Sequence, residues 1–191
     1  YTSIQRAIDS AANHAVLSIG AGTYVEAIRL RNTISLVGAG QGTTTLRGVG
    51  SQPVVTASGS ISRDTRLEGL TITGGNGPAG GGVIISNGAS PTLRNVTITA
   101  NNAQYWGGGV GINTAANPLL DGVTLRGNSA PSGAALTLTG SSQATVQNSL
   151  VENNTASGTR NNGAIMVQDN STLLLINTTV KGHSAMVGGG L

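Results

Sequence analysis

"PTLRNVTITANNAQYWGGGVGI", residues 91–112, joins a short strand-like run, Leu93 to Thr99, to an asparagine pair, two adjacent aromatics and three glycines. The same order recurs along the chain. "LRNVTI" at 93–98 aligns with "LEGLTI" at 67–72, "LDGVTL" at 120–125, "VQNSLV" at 146–151 and "LINTTV" at 175–180, at spacings of 26, 27, 26 and 29 residues. After the last four copies comes a second signal: Asn101 and Ala103, Asn128 and Ala130, Asn154 and Ala156, His183 and Ala185. A glycine-led strand opening follows in turn, at Gly80, Gly107, Ser132, Asn162 and the terminal "GGGL". A fixed period of this length marks a solenoid in which each copy is one coil.

Within a copy, Leu93, Val96 and Ile98 are apolar while Arg94, Thr97 and Thr99 are polar, and Asn95 breaks the alternation. Gly69, Gly122, Asn148 and Asn177 occupy the same column. Asn and Gly tolerate left-handed backbone, so the column reads as a bend between two short strands. Short strands in coils of about 26 residues, pairing about 4.8 Å apart, make a parallel β-helix, and right-handed winding is expected of parallel crossovers. Ile72, Ile98, Leu125, Val151 and Val180 then form an inner aliphatic ladder, and Asn101, Asn128 and Asn154 an amide ladder in a turn. Outward, Glu68, Arg94 and Asp121 alternate in sign, as do Arg126, Glu152 and Lys181.

The bulk composition agrees with an all-β chain: 191 residues, 30 glycines, no phenylalanine, 38% hydrophobic and 9% charged. One domain over 1–191 is expected, of about seven coils. The segment 1–14, "TSIQRAIDSAANH" after Tyr1, places Ile4, Ala7, Ile8 and Ala11 on one helical face behind a Thr/Ser start and reads as a capping helix. Residues 15–64 then hold the first coils and 65–191 the regular repeats. Nothing resembling a cap closes the other end at "VGGGL", so further coils beyond Leu191, or end-to-end self-association through that edge, are expected. The net charge of +3 comes from basic residues scattered singly, which argues against nucleic acid. No apolar run is long enough to span a membrane, and no cysteine offers a disulfide or thiolate ligand. The opening at Tyr1, without a methionine, reads as a mature or excised segment and points to a secreted or cell-surface protein.

Two resemblances follow from these stretches. The coil pattern over roughly 65–191, an apolar residue three before Asn and then a "GGxx" opening, is similar to the repeat of polymorphic outer-membrane proteins and related adhesin-type surface β-helices. Ile98, Leu125 and Val151 stand where that family usually has Phe. The N-terminal part, "SIQRAIDSAANHAVLSIGAGTYVEAIRLRNTISLVGAGQGTTTLRG", resembles the opening of pectin methylesterases and other pectin-lyase-like proteins. The esterase signature of paired aspartates, glutamine and arginine has no counterpart here.

The pectin-lyase-like resemblance implies a search for carboxylates and a basic proton acceptor on one face. Glu68 and Asp121 share a column with Arg94 between them, which reads first as a salt-bridge ladder. Asp64 and Glu68 are the nearest acid pair in sequence and would serve glycoside hydrolysis only if the loop before Leu67 folded back. Asp64, Glu68, Arg94 and Asp121 are thus the catalytic candidates. No metal site or cofactor is expected. Tyr105 and Trp106 are the ligand-binding candidates, able to stack on a sugar or cell-surface glycan, or else Trp106 covers a coil edge. Thr71, Thr73, Thr97 and Thr99 form a small grid resembling ice-binding solenoids, interrupted by Arg126. Asn95, Asn153, Asn170 and Asn177 match the N-glycosylation acceptor pattern. The expected function is a non-enzymatic adhesin-like or scaffold module, the alternative a polysaccharide-active enzyme or carbohydrate-binding module.

Overall fold

The bend expected at the Asn/Gly column is present in every repeat. In the computed structural model, which describes residues 3–158, 163–186 and 188–190, Gly69, Asn95, Gly122, Asn148 and Asn177 all hold positive φ, between 44° and 66°. Each bend lets the chain turn between two stretches of one wide sheet. That long face has twelve strands, all paired in parallel, and its first file runs Val16–Ile19, Ser35–Gly38, Arg66–Thr73, Thr92–Thr99, Leu119–Asp121, Gln143–Gln147 and Thr172–Ile176. A second file, Gly22–Val25, Thr44–Arg47, Thr124–Arg126, Leu150–Glu152 and Thr179–Lys181, joins it through the two longest strands.

Two smaller faces close the coil. A third face of six strands runs from Ile28–Arg29 to Ile165–Val167, and a narrow face of five runs from Asn76–Ala79 to Ser184–Ala185. Among the described residues, seven rungs on the long face against six on the third make six complete turns and part of a seventh. The chain is a right-handed parallel β-helix. The strand openings expected at Asn162 and in the terminal "GGGL" touch positions outside the described residues.

The registers are those of the repeat alignment. Ile72, Ile98, Leu125, Val151 and Val180 are successive partners, as are Leu67, Leu93, Leu120, Val146 and Leu175. The aliphatic columns from Leu36 to Val151 are fully buried. The glycine-led corner has a steric cause: Gly80, Gly107 and Gly133 sit at φ of 61°, 69° and 55°, and a Cβ on Gly108 would fall 2.3 Å from the Ser129 carbonyl oxygen. Only glycine allows so close an approach of backbone to backbone.

The N-terminal helix is shorter than the 1–14 segment suggested. It spans Ile4–Ser10, with Ser3 as N-cap and Ile4 and Ile8 buried against the first coil. Its ends are held by charges from that coil. Glu26 accepts hydrogen bonds from Ser3 Oγ (2.9 Å) and the amides of Ile4 (2.8 Å) and Gln5 (3.1 Å). Arg31 donates to the carbonyls of Asp9 (3.0 Å) and Ala11. An anion at the positive end and a cation at the negative end both favour the helix. Ala11 is already extended and His14 has φ of 64°, so residues 11–14 form the turn into the first strand.

Candidate functional site

The ionisable groups are carried outward by the long face. Glu68, Arg94 and Asp121 are direct register partners on adjacent rungs. The expected salt-bridge ladder is not closed there: among the described residues the one ion pair within 4.0 Å joins Lys181 Nζ to Glu152 Oε2 at 3.6 Å. Asp121 instead accepts from Asn148 Nδ2 at 2.9 Å. Side chains standing side by side in water gain little by pairing and lose rotamer freedom, so the column remains open.

Asp64 lies apart from that column, at the corner before the third rung. It lines a depression of about 420 Å³ together with His14, Val16, Thr33, Ser35, Arg63 and Arg66, and neither Glu68, Arg94 nor Asp121 reaches it. The structure therefore gathers three of the four catalytic candidates in one column and places the fourth in a separate hollow. His14 looked isolated in sequence. What brings it to Asp64 is the rung register, Val16 beside Ser35 and Leu36 beside Leu67, across copies whose spacing departs from the regular period.

Tyr105 and Trp106 belong to the strand Asn102–Trp106, whose register shifts between Ala103 and Trp106. Such a bulge re-aims side chains. Trp106 is laid back on the third face, where a Cβ on Gly111 would meet its Cζ3 at 2.7 Å. Tyr105 projects into solvent and is 58% exposed. The aromatic pair is thus split into a packing residue and a projecting one.

The threonine grid is longer than the repeats suggested, because Thr23 and Thr45 from the irregular first coils continue the column of Thr71, Thr97 and Thr124. It is not an open lattice. The loop between Gly38 and Thr44 lies over it, with the Gly42 amide donating to Thr71 Oγ1 (3.1 Å) and Thr97 Oγ1 donating to Gln41 Oε1 (3.0 Å). A covered column offers no flat ice-matching plane.

The amide ladder forms as expected. Asn101 Oδ1 accepts the Gly75 N–H (2.9 Å), Asn128 Oδ1 the Asn101 N–H (3.1 Å) and Asn154 Oδ1 the Asn128 N–H (2.9 Å). Each Nδ2 donates back to an inner-column carbonyl, of Ile72 (3.2 Å), Ile98 (2.9 Å) and Leu125 (2.9 Å). His183 takes the next place. Its Nδ1 accepts the Asn154 N–H at 3.1 Å, which requires a neutral ring with the proton on Nε2. Nε2 is buried and closes no hydrogen bond. Burial lowers the His183 pKa below its usual 6.5, opposed in part by the nearby Val151 carbonyl.

Among the described residues no group of three or more His, Asp or Glu side chains could hold a metal ion, and no helix is long and apolar enough to cross a membrane. A family model described as a right handed beta helix region matches residues 41–191. No curated protein matches the chain.

Proposed function

This chain belongs to the right-handed β-helix family, and on that premise we propose that it is a non-enzymatic, secreted or cell-surface module of adhesin-like or scaffold type. The observation that carries the reading is the dispersal of its charges. Glu68, Arg94 and Asp121 on one outward column, and Arg126, Glu152 and Lys181 on another, stand one per rung along a rigid face instead of converging on one groove. Tyr105 adds a projecting ring of the kind that stacks on sugars, with Trp106 fixing the strand beneath it. The partner suited to this surface is a cell-surface glycan or other polysaccharide. Exposed Val167, Leu174, Ile176 and Met186 near the last rung support self-association in solution, which sedimentation over a wide concentration range tests: a strictly monomeric species rejects it.

The decisive experiment is a pair of assays on one preparation. Glycan-array binding that is lost in Tyr105→Ala, with no release of unsaturated or reducing ends from polygalacturonate, supports the module. Release that disappears in Glu68→Gln or Asp121→Asn overturns it in favour of a polysaccharide-active enzyme of pectin-lyase-like type. One observation favours that second reading, namely the polar depression holding His14, Asp64 and Arg66, so Asp64→Asn belongs in the same assay.

A further inference from the structure

We infer that the corner of the first three rungs binds an oxyanion borne by a hydroxylated molecule, with Arg66 and Arg63 as its cationic partners. The hollow exists because of Ser35. In the column Val16, Ser35, Arg66, the middle residue turns its Oγ toward the third rung, donating to the Asp64 carbonyl (3.2 Å) and accepting the Arg66 N–H (3.3 Å). In this column the second rung therefore carries only a short, buried side chain. The first and third rungs supply the walls, and His14, Thr33 and Asp64 are stacked at the rim, where the His14 N–H donates to Thr33 Oγ1 (3.2 Å) and the Thr33 N–H to Thr65 Oγ1 (2.8 Å).

Among the described residues, the arginines around this hollow form no ion pair within 4.0 Å. Arg63 Nη2 donates to Asn117 Oδ1 at 3.0 Å, which anchors one edge of its guanidinium and leaves the other free. Neither Arg63 nor Arg66 reaches the Asp64 carboxylate within ion-pair distance, the single such pair among the described residues being elsewhere. A guanidinium fork presents paired N–H donors that match two oxygens of a carboxylate, sulfate or phosphate. Asp64, also on the wall and an acceptor only, repels a bare anion but receives a hydroxyl proton, so it selects a ligand whose anionic group sits beside hydroxyls. Sugar acids, sulfated sugars and sugar phosphates share that chemistry.

The test titrates sulfate, phosphate and glucuronate at constant ionic strength, with chloride as the balancing anion, and follows the backbone amide resonances of Thr33 and Ser35. Saturable shifts with a Kd of about 1 mM are expected for exposed charge-assisted contacts. Arg66→Gln and, separately, Arg63→Gln should each weaken binding on the order of tenfold, while Arg47→Gln, at the end of the strand Thr44–Arg47 and outside the hollow, should not change it. Asp64→Asn should tighten sulfate and weaken glucuronate. The tightest of the three probes names the group the native ligand carries. Shifts that never saturate, that chloride reproduces, or that persist unchanged in both arginine variants with an intact amide spectrum would overturn the inference.

Discussion

Acidification should loosen the last described rung while leaving the middle of the solenoid intact, because His183 occupies a place that requires an uncharged acceptor. Its Nδ1 receives the Asn154 N–H, and protonation would set two N–H groups against each other in a buried turn. The folded pKa is lowered, so the contribution of this contact is fully present above the unfolded value of 6.5 and is lost as pH falls through the folded value. An unmet buried donor costs about 1–3 kcal/mol, of the same order as one rung's worth of ladder bonding.

His183→Asn gives the matching perturbation. It would place an Oδ1 acceptor beneath the Asn154 N–H and direct an Nδ2 donor to the Val151 carbonyl, as Asn154 does to Leu125 and Asn128 to Ile98. It should stabilise by about 1 kcal/mol, roughly 2–4 °C in a chain of this size, and remove the acid sensitivity. Hydrogen exchange at the Asn154 amide, normalised to the Asn128 amide, reads this directly, since the latter donates to a side-chain amide that does not titrate. The Glu152–Lys181 pair lies on the same two rungs, and Glu152→Gln controls for it. If the normalised protection is flat from about pH 8 to about pH 5, or if His183→Asn falls as the natural chain does, the histidine has no such role.

Asn128→Ala should be among the most damaging single changes, about 3 kcal/mol or more by chemical denaturation, because it removes at once the acceptor of the buried Asn101 N–H and a donor to the Ile98 carbonyl, and leaves a cavity in the turn. Gly111→Ala should lift the indole of Trp106 from the third face, seen as a red shift in tryptophan emission with a cost of about 1–3 kcal/mol. Glu26→Ala removes the acceptor for the first-turn amides of the N-terminal helix and should cost about 1–2 kcal/mol, with the helical component of the far-ultraviolet circular dichroism melting before the sheet.

The regular rungs were legible because each position has the same neighbours one period away. Asn95 and Gly122 announce a left-handed bend, and Ile98 and Leu125 announce an interior, from local chemistry alone. The corner hollow was not legible for the opposite reason. His14, Thr33 and Asp64 stack only through a register set by copies of unequal length, 19 residues from Val16 to Ser35 and 31 from Ser35 to Arg66. The same irregularity hid Thr23 and Thr45 from the threonine column and the loop that covers it. Glu26 and Arg31 read as ordinary charges of the first coils, since their service to the helix ends depends on where the helix docks. For Trp106 the adjacent aromatics were visible, but the bulge that parts them was not.

The hydrogen bonds between rungs all point along the length of the molecule. A pull applied between its two ends would therefore load the rungs in series, as links of a chain, each bearing the whole force. Resistance to stretching would be set by the weakest interface and not by the sum. A solenoid with uniform asparagine links would open abruptly at no preferred place, whereas one carrying a single histidine link next to Asn154 has a chosen point of yield, set by the acidity of its surroundings.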